Sequence, residues 1–84
     1  MESKHFEIPI NWNDTEDIAM ALYERFGHEF NESKIYRIRF VDLHKWILEI
    51  PNFVGKPNES TEAHLEMAQT AWVYEWRDNE KNNL

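Results

Sequence analysis

Cysteine is absent from the 84 residues. That absence excludes a disulfide framework, a zinc finger, a thiolate nucleophile and a thiolate-ligated cluster. Nor can such a chain carry sulfur as a persulfide. Glycine and proline are scarce, at two and three residues, which argues against a fibrous or disordered composition. No apolar run approaches the ~20 residues of a membrane span, and Met1-Glu2-Ser3-Lys4-His5 offers no stretch suited to a signal peptide. A cytoplasmic protein is expected. Without a secretory signal, the sequons at Asn13, Asn31 and Asn58 are read as chance. There is no nucleophile elbow, glycine-rich phosphate loop or catalytic dyad, so an enzyme is not expected.

What the chain does have is aromatic bulk: five phenylalanines, three tyrosines and four tryptophans. A domain this short buries only about 60% of the surface its unfolded form exposes. Large rings are an economical way to fill its core, each covering on the order of 150–250 Å². One domain over residues 1–84 is expected, with a core from about 10 to 77 and fraying at 1–5 and 79–84.

The net charge of −7 is unevenly spread. Asp14, Glu16, Asp17, Glu24, Glu29 and Glu32 face Arg25 alone, whereas Lys34, Arg37, Arg39 and Lys45 follow against Asp42. The overall acidity disfavours nucleic acid and anionic membrane. It suits basic protein surfaces and hard cations.

Hydrophobic periodicity predicts a mainly α fold: three helices with at most a small two-stranded ribbon, an order that suits a helix-turn-helix or winged-helix relative. Phe6–Ile10 alternates like a half-buried strand, placed at an edge by Pro9, and Tyr36–Phe40 alternates likewise, so the two could pair. A first helix is expected over Asp14–Phe26, capped by Asn13 or Asp14 and ended by Gly27. A second runs over Asp42–Ile50, stopped by Pro51, and a third from Ser60 or Thr61 to Arg77. Ile18, Leu22, Phe26, Leu43, Trp46, Ile47, Leu65 and Trp72 form the expected core.

On the first helix, Asp17 and Glu24 are two turns apart and share a face, with Asp14 close to it. Carboxylate oxygens suit hard cations, including Fe²⁺ where no softer ligand competes. No calcium-loop spacing is present, so any such site is shallow and weak. An acidic stripe of this kind is more commonly a solvated helix face. Glu59, Glu62 and Glu66 form a second acidic row, of which Glu59 and Glu62 serve the dipole of the third helix. The four histidines match no ligand spacing, and His44 reads as structural. The basic run could be a nucleic-acid patch, but Leu43, Trp46 and Ile47 claim the following helix for the core and leave few side chains to read bases.

Two stretches carry a more specific signal. Trp12-Asn13-Asp14-Thr15 through Asp17-Ile18, with Ala21-Leu22-Tyr23-Glu24, resembles the opening of the IscX family. Arg39-Phe40-Val41-Asp42-Leu43-His44-Lys45-Trp46 resembles that family's central signature, and Phe53, Pro57, Glu62, Leu65 and Trp72 keep its spacing. The similarity spans roughly Ile10 to Glu75.

The chain departs from the pattern in three places. The His28–Tyr36 connection is longer, Val41 replaces a capping threonine so that Asp42 is left to cap, and Pro51–Lys56 lacks a run of acids. The resemblance implies a three-helix modified winged-helix-like domain without DNA binding, serving as an accessory protein of iron–sulfur cluster assembly. Its acidic face, here Asp14, Asp17 and Glu24, would bind the Isc cysteine desulfurase in competition with frataxin. The same residues would bind Fe²⁺ weakly. It further implies a monomer with no tightly bound cofactor and no nucleic-acid or membrane partner. A nucleic-acid-binding winged helix, or an interaction module unrelated to iron, is the alternative.

Overall fold

Four helices carry the chain in the computed structural model, which describes residues 8–82: α1 Thr15–Phe26, α2 Glu32–Tyr36, α3 Phe40–Leu48 and α4 Glu62–Asn82. Single 3-10 turns, Gly27–Glu29 and Pro57–Glu59, punctuate the connections. The mainly α expectation holds, with a short fourth helix added inside the long connection.

In α1 the row Ile18, Ala19 and Leu22 is buried, and this face lies chiefly on α4. Gly27 closes the helix at φ 54°, with its N–H returned to the Tyr23 carbonyl. A Cβ there would meet nothing within 4 Å, so the backbone conformation, not the space, requires glycine. Asn31 starts α2 by accepting the Lys34 N–H at 2.9 Å, and the helix buries Ile35 completely. Gln69 of α4 reaches across to donate to the Ile35 carbonyl at 2.9 Å.

Among the described residues the two stretches expected to pair do not form a ribbon. The N–H groups of Arg37 and Ile38 turn back to the carbonyls of Lys34 and Ile35, which leaves Arg37, Ile38 and Arg39 as an elbow between α2, which ends at Tyr36, and α3, which starts at Phe40. The alternation reflects a bend with Ile38 and Phe40 half-buried between exposed Arg37 and Arg39. Phe6 and Glu7 of the other expected strand lie outside the described residues. Ile10 instead makes a single parallel bridge with Phe53, donating to Asn52 O at 3.0 Å and accepting from Val54 N at 2.8 Å.

α3 starts two residues earlier than its pattern suggested. Asp42 is not its cap: Arg39 is, with the N–H groups of Asp42 and Leu43 both returning to the Arg39 carbonyl. α4 runs on past Arg77 to Asn82. Its start has the geometry of a capping box with histidine in the reciprocal position. The His64 N–H donates to Thr61 Oγ1 at 3.2 Å, and the Thr61 N–H donates to His64 Nδ1 at 3.1 Å.

Trp72 is the largest fully buried side chain, set among Ile18, Leu22, Ile35, Leu43, Ile47 and Val73. Phe26 and Trp46, expected inside, pack half-buried against this core in an aromatic group with Phe30. Ile50 and Ala68, on the apolar faces of the second and third expected helices, are buried, and Ile10 and Trp12 are core residues that the helical periodicity did not single out.

Candidate functional site

The three candidate carboxylates are exposed but have different neighbours. Asp14 braces the turn before α1. Its Oδ2 accepts the Asn11 N–H at 2.8 Å, its own N–H donates to the Asn11 carbonyl, and its carbonyl takes the first helical bond from Ile18. Asp17 stands on the outer face of α1. Glu24, farther along, borders a groove shared with Arg25, Glu49 and Pro51. Arg25 is the one cation of α1, and it is engaged by Glu49 of α3's C-terminal cap at 2.7 Å.

Among the described residues, no three His, Asp or Glu side chains stand close enough together to hold a metal ion. The donor set is hard enough for Fe²⁺, but its members do not converge on one point. A preformed Fe²⁺ centre does not fit this arrangement.

The two family-like stretches meet at Trp12. Its indole stacks with the imidazole of His44 at 5.4 Å between centroids and with that of His64 at 6.0 Å. Phe53 meets it edge-on at 4.8 Å. Trp12 Nε1 donates to Lys56 O at 2.8 Å, and His44 Nε2 donates to Pro57 O at 2.9 Å. A Cβ on Gly55 would stand 2.7 Å from both Phe53 Cζ and Trp12 Cδ1, so only glycine passes there without displacing a ring. Trp12 and His44 thus clamp the Asn52–Asn58 turn to α3 and the start of α4. This structural role was legible for His44, whereas the convergence on Trp12 required the fold.

The cations gather on another side. Lys34, Arg37 and Arg39 line a shallow concavity with Phe30, Ile38 and the half-buried Trp46. Farther along α4, Arg77 forms paired bonds to Glu32, at 3.0 Å from Nε and 2.6 Å from Nη2. The hydrogen bond from Arg77, reinforced by its charge, holds the Glu32 carboxyl below the ordinary carboxylate range. No helix among the described residues is long and apolar enough to cross a membrane.

Residues 10–77 match the profile of a family described as iron-sulphur cluster assembly. An uncharacterized protein of Pseudomonas aeruginosa is 36% identical over 66 residues, covering 79% of this chain and 94% of the relative.

Proposed function

The chain belongs to the iron–sulfur cluster assembly family, that of IscX, and from this membership we propose that it is a non-catalytic accessory protein that docks on the cysteine desulfurase. The docking surface is the outer face of α1. In this reading the protein is a cytoplasmic monomer that shares its desulfurase site with frataxin and tunes the rate of sulfur delivery.

One observation carries the proposal. Asp17 and Glu24 stand exposed two turns apart on the outer face of α1. Charge arranged in this way raises the on-rate and the selectivity for a basic surface. Fe²⁺ would associate with these carboxylates singly, with water completing its shell. It would modulate the interface as a weakly held ion.

Titration calorimetry with the purified desulfurase tests the reading. Asp17→Lys combined with Glu24→Lys should abolish binding while leaving the helical circular dichroism unchanged, because both side chains point away from the core. Parent affinity should fall as salt shortens the screening length to below about 8 Å. Undiminished binding by the double variant would refute a docking surface on α1.

A further inference from the structure

Three of the large hydrophobic side chains left exposed by the fold, Met20, Met67 and Tyr74, lie along one groove between α1 and α4. The groove is open, with a volume of about 670 Å³, and small residues, Ala19 and Ala71, contribute to its lining. These alanines bring little bulk to the junction, which leaves a trough between taller flanking side chains. Glu16, Glu66, Glu75 and Asp78 also line it, and among the described residues no lysine or arginine does. Among the described residues, Glu16, Glu66 and Asp78 have no ion-pair partner. Tyr74 is braced from behind: the Arg77 guanidinium lies 5.7 Å from its ring centroid and is itself fixed by Glu32.

We propose that this groove docks a basic amphipathic helix of a partner protein, with Met20, Met67 and Tyr74 receiving its apolar stripe and the acidic rim receiving its lysines and arginines. Methionine is unbranched and polarizable, so it adapts to an apolar stripe without fixing one sequence. The walls are helices whose backbone groups are already paired, so an incoming strand would find no edge to extend. A helix needs only side-chain contact. From Glu66 to Asp78 the α4 wall is about 18 Å long at about 1.5 Å per residue, which accommodates about three turns. A second copy of this chain is disfavoured by its own net charge of −7, as is an anionic lipid surface. The inference rests on the reading that this protein works by docking on a partner, and it specifies the element that the partner presents.

The test uses a synthetic 14-residue leucine/lysine peptide with leucines at helical spacing, titrated into the full chain. The methyl resonances of Met20 and Met67 provide the readout. Both should shift saturably. A scrambled peptide of the same composition should bind at least tenfold more weakly, and a leucine/glutamate version should not shift them. Met67→Ser with Tyr74→Ser, both exposed positions, should keep the parent melting curve and lose at least tenfold in peptide affinity. The same variant should lose at least tenfold in affinity for the desulfurase.

Methionine shifts that are absent, or equal for ordered and scrambled peptides, would overturn the groove. So would desulfurase binding that survives the groove variant yet is lost on charge reversal at Asp17 and Glu24, and that outcome leaves the partner reading intact. Saturable peptide binding at both methionines, beside a parent chain that ignores the desulfurase, would support the groove and refute the desulfurase reading.

Discussion

The indole of Trp12 and the carbonyl of Lys56, 44 positions apart, are joined by a 2.8 Å hydrogen bond inside a cluster of two imidazoles and Phe53. Trp12→Phe keeps an aromatic ring but removes the donor, leaving the Lys56 oxygen without this partner. The expected loss is about 1–2 kcal/mol in urea unfolding. Gly55→Ala should cost about 1–3 kcal/mol by driving a methyl group into the same rings. If neither substitution moved the midpoint, the clamp would contribute nothing to stability.

Trp72 presents the opposite situation. Its Nε1 is buried with no hydrogen-bond partner among the described residues, while its ring fills the centre of the core. Trp72→Phe removes an unpaired polar group, whose burial costs about 1–3 kcal/mol, together with part of the ring. The two effects oppose each other, and stability should change by less than about 1.5 kcal/mol. Trp72→Ala should cost about 3–5 kcal/mol. In a small domain with a stability near the lower end of about 5–15 kcal/mol, that leaves much of the population unfolded. Thermal melts followed by circular dichroism separate the two variants, and equal losses would remove the unpaired N–H from the explanation.

The Glu32–Arg77 pair sets a direction with pH. The Glu32 carboxyl is held below its ordinary value by the hydrogen bond from Arg77, so its contribution to stability is fully present above the unfolded carboxylate pKa of about 4.3. It is lost as pH falls through the lowered folded value. Glu32→Gln should therefore melt below the parent at pH 7, and the gap should close in strong acid. A gap independent of pH would assign the effect to packing.

Fe²⁺ is expected to broaden the NMR signals of Asp14, Asp17 and Glu24 before those of any histidine. The effect should be weak, easily displaced by other hard divalent ions, and should fade as pH falls towards about 4, where carboxylates protonate. Earlier broadening at His28 or His44 would move the ligands to imidazole.

Helices α1, α3 and α4 were legible because each repeats its apolar residues at helical spacing over several turns. α2 was not. It is five residues long, too short for a period to declare itself, and its signals are only the Asn31 cap and one buried Ile35. Tyr36–Phe40 misled for a related reason: an elbow between helices can alternate exposed and half-buried residues just as a strand does. At the candidate site, exposure of Asp17 and Glu24 followed from the helical wheel. The bracing role of Asp14 and the groove between α1 and α4 did not, since both depend on partners distant in the chain or on turn geometry. Trp46 looked central by periodicity, but tertiary packing gave the centre to Trp72.

The pairing of α1 with α4 also governs how the chain is made. Within the described domain α1 finds its main partner in α4, made later in synthesis, and the packing of Ile18 and Leu22 into the core around Trp72 spans some fifty residues. A nascent chain that has reached only α3 exposes the apolar row of α1 to water and cannot close its core. Folding must wait until nearly the whole domain has emerged, and synthesis interrupted before Trp72 yields an aggregation-prone fragment.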